Sequence, residues 1–235
     1  MRNALDERSP LFYARVAGVI YLSAMALSIV SQVFILGRII VPENITATTA
    51  NIAAHESLFR LGIGIDIITS ASDVVIGWAL YELLKSVDRP LALLGVFFRI
   101  ADATVLVVTT FDALMSLRLL SGADYLGAFQ TSQLQVLARL FVGARGFGFE
   151  VGFVFLGLGS AIFSYLLFKS HFVPKLLAGW GLFASLLLAT SSLAGVLSPW
   201  FLANLAMAAM IPMFFFEVPL GLWFLLRGVS VPPKE

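Results

Sequence analysis

Cysteine is absent from this sequence of 235 residues, and charged side chains make up only 12% of it. The lack of cysteine excludes disulfides, thiolate metal sites and thiol catalysis. The 15 basic and 14 acidic residues nearly cancel, so no positive excess points to a nucleic-acid partner. Soluble domains carry about a quarter charged residues. Low charge, 60% hydrophobic residues and a mean hydropathy of +0.96 together indicate an integral membrane protein.

Six apolar stretches are long enough to cross a bilayer, which requires about 20 residues of helix. None shows the strict alternation of polar and apolar residues that membrane β-strands have. The sequence therefore predicts an all-α fold, a polytopic bundle of six transmembrane helices that forms one domain over residues 1–235. The predicted spans are Leu11–Leu36, Leu58–Leu84, Leu91–Leu117, Val136–Phe168, Leu176–Leu197 and Phe201–Leu226.

The positions of lysine and arginine near the span ends predict the orientation, because cytoplasmic loops carry an excess of both. The richer side holds Arg2, Arg8, Arg15, Lys85, Arg89, Lys169, Lys175, Arg227 and Lys234. The poorer side holds Arg38, Arg60, Arg118 and Arg139. We therefore expect both termini to be cytoplasmic and two longer loops, Gly37–Ser57 and Arg118–Gln135, to lie outside.

Eight ionisable residues lie within the predicted spans. Each costs roughly 2.5 to 3.5 kcal/mol near the centre of a membrane helix, so all are expected to face the bundle interior. They are the candidate ligand- or ion-binding residues: Asp66, Asp73, Arg99, Asp102, Asp112, Arg145, Glu150 and Glu217. Six acids against two arginines leave a surplus of negative charge that an apolar interior does not hold. Protons, a cation or water must therefore enter.

Helical spacing predicts which of these residues meet. Asp66 and Asp73 share one face of the second span with several small and polar residues. Arg99 is expected to pair either with Asp102, three residues later, or with Asp73. Asp73, Glu150 and Glu217 fall at similar depths and are predicted to share a protonatable site. Pro212 and Pro219 flank Glu217 and are expected to break the sixth helix.

Five groups of residues occur in a recognisable order: Ala14–Gly18, Glu56–Gly62, Arg89-Pro90 with Phe98-Arg99, Ser121–Leu126 and Gly152–Leu158. Together they resemble a bacterial and archaeal family of six-helix integral membrane proteins of unknown function. The resemblance covers nearly the whole chain and implies a multi-pass protein of the prokaryotic inner (plasma) membrane, without implying an activity.

Three functions remain open at this point. The buried carboxylates favour a small transporter or permeation protein that binds a proton, a cation or a small solute, with the lipid bilayer as its surroundings. The same acids could act in a membrane-embedded enzyme on a lipid or isoprenoid substrate. They could also merely hold together an accessory or lipid-binding protein. No cofactor or metal motif is recognised, no catalytic residues are assigned, and the sequence does not indicate an oligomeric state.

Overall fold

The computed structural model describes residues 9–41 and 44–229, and every regular element within them is a helix. Arg2, Arg8 and Lys234, used above to predict the orientation, lie outside these residues. The long helices are α1 (Pro10–Ile39), α3 (Glu56–Leu84), α4 (Arg89–Leu119), α5 (Thr131–Ser170), α6 (Lys175–Leu197) and α7 (Pro199–Leu226). A shorter α2 (Ile45–Ala54) follows α1, and a 3-10 turn (Asp124–Ala128) precedes α5.

Each of the six predicted spans lies inside one of these long helices. By length and composition, α1, α3, α4, α5 and α6 can cross a membrane. In α7 the apolar segment identified is the shorter one, Met210–Leu226. The all-helical membrane class is therefore confirmed, with five candidate spans and a further apolar helix in the part of the chain described. The count of six spans and their orientation stay predictions.

The helix ends follow local sequence signals. The side chain of Asp88 accepts a hydrogen bond from the Leu91 amide, and Pro90 occupies the first turn of α4. Asn44 caps α2 in the same way through the Ala47 amide, so part of the predicted outer loop Gly37–Ser57 is helical. The α7 helix runs through both Pro212 and Pro219 without interruption, and the predicted break there was wrong. Neighbouring helices supply the packing that lets a membrane helix tolerate proline.

The six long helices form a closed ring. Each packs against the next one in the chain, and α1 closes the ring by contacting both α3 and α7. Small residues allow these close contacts: a Cβ on Gly18 would lie 2.8 Å from the Gly221 carbonyl oxygen, and one on Gly157 2.6 Å from the Ser185 carbonyl oxygen. Leu11 lies against Gly228, so the two ends of the described chain meet at one end of the bundle.

Two separate apolar cores fill the two ends of the helical bundle. The first, near the chain ends, contains Leu80, Phe163 and Phe216, and the second, at the opposite end, contains Phe59 and Leu117. The polar side chains buried in the helices lie largely between them. This layering places the candidate functional residues in the middle of the bundle.

Candidate functional site

The guanidinium of Arg99 is the centre of the buried polar layer. Arg99 is 1% exposed, and its side chain donates hydrogen bonds to Asp73 Oδ1 at 2.8 Å, Tyr21 Oη at 2.8 Å and Ser160 Oγ at 3.1 Å. Glu217 Oε1 lies 3.9 Å from the same guanidinium. These five residues come from α1, α3, α4, α5 and α7, and we call them the Arg99 cluster. Five of the six long helices of the ring therefore converge on one charge.

Two glycines make room for the long side chain of Arg99. A Cβ on Gly77 of α3 would lie 3.2 Å from Arg99 Cβ, and one on Gly159 of α5 would lie 3.5 Å from Arg99 Cγ. The apolar stem of Arg99 is thus held between two backbones. This packing directs the guanidinium towards Asp73 and Tyr21, because it leaves little space for another conformation of the Arg99 side chain.

A second polar group surrounds Asp66, two helical turns from Asp73 on α3, or about 10 Å along the axis. The Asp66 carboxylate forms a short, buried ion pair with Arg145 of α5. It also accepts hydrogen bonds from Ser31 Oγ at 2.9 Å and Gln32 Nε2 at 3.2 Å. The Arg145 guanidinium lies over the ring of Phe149, 4.7 Å from its centroid. We call Ser31, Gln32, Asp66 and Arg145 the Asp66 cluster.

The two donors from α1 lie in a π-helical segment, Val30–Leu36. Such segments are rare, and within α-helices they occur frequently at functional sites. Here the wider turn contains both Ser31 and Gln32, and both bond to Asp66. Sequence analysis missed these two residues, although a Ser-Gln pair inside an apolar span was a usable signal. It also missed Tyr21 and Ser160, which no charge pattern marks.

Asp102 is fully buried but belongs to neither cluster. Both of its carboxyl oxygens, and the Nε of Arg99 one turn earlier, lack a hydrogen-bond partner among the described residues. A Cβ on Gly152 of α5 would lie 2.9 Å from Asp102 Oδ1 and 3.2 Å from Leu106. Of the two partners predicted for Arg99, the structure therefore gives it Asp73 and not Asp102.

Glu150 and Asp112 lie apart from the clusters. Glu150 faces the hydroxyl of Ser192 on α6, and it precedes Ser160 by ten residues, about 15 Å along α5. Among the described residues, Arg99 lies beside Asp73 and Glu217 and forms no ion pair with Glu150, so the predicted trio is reduced to the first two. Asp112 is partly buried, thirteen residues and about 20 Å beyond Arg99 on α4.

Charge is unevenly divided between the two clusters. Asp66 and Arg145 balance one for one, and the other hydrogen bonds to Asp66 come from the neutral side chains of Ser31 and Gln32. Around Arg99, by contrast, one guanidinium faces the carboxyls of Asp73 and Glu217, with Asp102 one turn away. Ionisation of all three would leave two uncompensated negative charges in a buried layer, at a high cost in free energy. The surplus of negative charge predicted from the sequence is thus concentrated around Arg99.

Long apolar helices around an inward-facing polar layer define a helical integral membrane protein. Within that class, the chain belongs to the family described as "Domain of unknown function (DUF4386)", whose model matches residues 16–228. The match includes both clusters and agrees with the resemblance to an uncharacterised membrane family. No curated protein and no solved structure matches the chain.

Proposed function

We propose that this chain is a small proton- or cation-linked transporter or permeation protein, and that the Arg99 cluster is its binding site. The observation that carries this proposal is the meeting of charged side chains from three helices in the middle of the bundle, between two apolar cores. A site at mid-depth, reached from either end in turn, is the arrangement that secondary transporters use. The bound species is a proton, a cation or a small solute.

The surplus of carboxyls supports a binding role over a purely structural one. One buried pair, such as Asp73 with Arg99, is enough to fix the register of two helices. Glu217 and Asp102 add two further carboxyls within reach of the same guanidinium, and each is costly inside a membrane. A proton or a cation at the site removes that cost. Binding and release of this species would then change the charge of the layer, which is what coupled transport requires.

The limited exposure of the Arg99 cluster is compatible with this role. Asp73 and Glu217 keep 18% and 14% of their side chains exposed, whereas Arg99 keeps 1%. Among the grooves that the described residues form, one runs along α1 and another lies between α6 and α7, and neither of these is lined by a residue of the Arg99 cluster. In our proposal the helices must move to open the site, and the described arrangement is the occluded one.

We further propose six spans with both termini in the cytoplasm, in the prokaryotic inner membrane. The contact of Leu11 with Gly228 supports an even number of crossings, because the chain returns to the end where it starts. The 28-residue length of α7 supports it as the sixth span. The bilayer is the expected partner, and no nucleic acid is expected.

The Asp66 cluster favours the structural alternative for its own members. Its charges are balanced, and the carboxylate of Asp66 accepts bonds from three side chains. We therefore assign this cluster to holding α1, α3 and α5 together at one end of the site. The enzyme alternative gains no comparable observation.

Flux measurements test the proposal. Purified protein is reconstituted into liposomes, and flux is followed under imposed gradients of H⁺, Na⁺ or K⁺ between pH 5 and pH 9. Glu217→Gln keeps size and hydrogen bonding but cannot ionise, and Glu56→Gln, at an exposed pair with Arg60, is the matched control. We expect flux in wild type and Glu56→Gln, and its loss in Glu217→Gln. Equal flux in all three, or none in wild type, would contradict the proposed function.

A further inference from the structure

Asp102 stands out because it is completely buried and yet has no hydrogen-bond partner in the part of the chain that the structure describes. Its exposure is 0%, and neither carboxyl oxygen receives a hydrogen bond within the described residues. A buried carboxylate without donors is strongly unfavourable, whereas a protonated carboxyl avoids the cost of a bare charge. The surroundings of Asp102 therefore fit its neutral, protonated form.

Arg99 is the cation that an ionised Asp102 would use. The two residues are three apart on α4, a spacing that lets side chains meet on one helix face. The Nε of Arg99 is buried and has no hydrogen-bond partner among the described residues, so the guanidinium keeps a donor in addition to its bonds to Asp73, Tyr21 and Ser160.

The other titratable groups near this pair are few. Asp73 from α3 and Glu217 from α7 lie within electrostatic reach of Asp102, and the Tyr21 hydroxyl of α1 reaches it only through Arg99. On α5, Gly152 faces Asp102, since a Cβ there would lie 2.9 Å from Asp102 Oδ1. The two charged residues of α5 that come just before Gly152 are engaged elsewhere: Arg145 pairs with Asp66, and Glu150 faces Ser192.

We propose that Asp102 holds the exchangeable proton and that Arg99 changes partner from Asp73 to Asp102 when this proton leaves. This inference rests on the proposed function and names both the coupling ion and its carrier. In the step, the O–H bond at Asp102 breaks and an O–H bond forms at Asp73. Arg99 moves with the negative charge, so the total charge of the layer does not change. Asp102 is sealed, and Asp73 and Glu217 are the partly exposed groups through which the proton exchanges.

The donor set around Asp102 suits a proton and not a metal cation. Calcium and magnesium take six or more oxygen ligands, several of them from the protein or its bound waters. Asp102 is in contact with Gly152 and lies beside Leu106, which offer no side-chain oxygen. Within the residues that the structure describes, no group of three or more His, Cys, Asp or Glu side chains could hold a metal ion. A single carboxyl is sufficient to carry a proton.

Infrared difference spectroscopy on purified protein tests the proton. Protein labelled with ¹³C-aspartate is measured at neutral pH as wild type, Asp102→Asn and Asp112→Asn, the last being a control on the same helix. We expect a band of a protonated aspartic acid in wild type and Asp112→Asn that is missing from Asp102→Asn. A carboxylate band lost in Asp102→Asn, with no loss in the protonated region, would overturn the proposal.

Two further variants test the exchange of partners. In Asp73→Asn/Glu217→Gln the guanidinium loses both of its neighbouring carboxylates, so Asp102 should ionise and its protonated band should disappear. When Arg99→Met is added to these two changes, the cation of the cluster is gone, and the band should return. Persistence of the band in folded Asp73→Asn/Glu217→Gln, judged by its circular dichroism, would overturn the exchange. These readouts need no transport, so a protein that gives the expected spectra but no flux would reject the proposed function alone.

Discussion

Loss of the Arg99 charge should cost far more stability than loss of a surface charge. Arg99→Met keeps an unbranched stem between Gly77 and Gly159 but removes the guanidinium. Asp73 then loses its ion pair, and the Tyr21 hydroxyl loses its bond to the guanidinium. Breaking a buried pair costs about 3 to 5 kcal/mol. Because Asp73 retains 18% exposure, we expect the lower end of this range, about 3 kcal/mol.

The assay is thermal unfolding of the protein purified in detergent. For a chain of this size 1 kcal/mol shifts the melting temperature by about 2 to 4 °C, so Arg99→Met should lower it by about 6 to 12 °C. The control Arg38→Met removes an exposed charge near the end of α1 and should change it by less than about 3 °C. Arg99→Met/Asp73→Asn should recover part of the loss, because both charges are then gone. Equal melting temperatures for Arg99→Met and Arg38→Met would refute the reasoning.

Two further predictions concern packing and topology. Gly157→Ala should destabilise the protein by about 1 to 3 kcal/mol, since its Cβ would lie 2.6 Å from the Ser185 carbonyl oxygen. Gly146→Ala, on the same helix, meets nothing within 4 Å and should be neutral or slightly stabilising in the same unfolding assay. Similar losses for both would contradict the packing. Single cysteines at Gly127 and His171, at opposite ends of α5, should label with an impermeant maleimide from opposite sides; labelling of both from one side would contradict the crossing of α5.

The fold class could be predicted from the sequence because it depends on composition and on the length of apolar runs. Every predicted span lies within an observed helix, and α5 extends beyond the prediction at both ends, to Thr131 and Ser170. The π-helical segment of α1 was not foreseeable from hydropathy, since the same residues fit an ordinary helix. The prediction of a break at Pro212 and Pro219 failed because local sequence does not decide whether a helix continues. A proline removes a local hydrogen bond, but neighbouring helices decide whether the helix continues.

The candidate site was predictable only in part for a similar reason. Periodicity placed Asp66 and Asp73 on one face of α3, and the cost of buried charge required them to face inwards. The arginine that each of these two acids meets depends on the order of the helices around the ring. The spacing of residues within one helix gives no information about that order. Arg99 had a partner in reach on its own helix, Asp102, yet it extends between Gly77 and Gly159 to Asp73 of α3.

The depth of Glu150 in the bundle could also not be estimated from the sequence. Its position in the span suggested the level of Asp73 and Glu217, but the observed α5 has 40 residues, about 60 Å of helix, which is far more than a bilayer core requires. Residues of such a long helix cannot be assigned to a depth by counting from its ends.

A direct count of bound protons tests whether the Arg99 cluster binds a proton. Purified protein is titrated between pH 9 and pH 5 in a potentiometric cell, and the protons taken up per chain are counted for wild type, Glu217→Gln and the surface control Glu56→Gln. We expect Glu217→Gln to take up about one proton fewer than wild type, and Glu56→Gln to match wild type within about a third of that difference. Identical uptake by wild type and Glu217→Gln would contradict the claim.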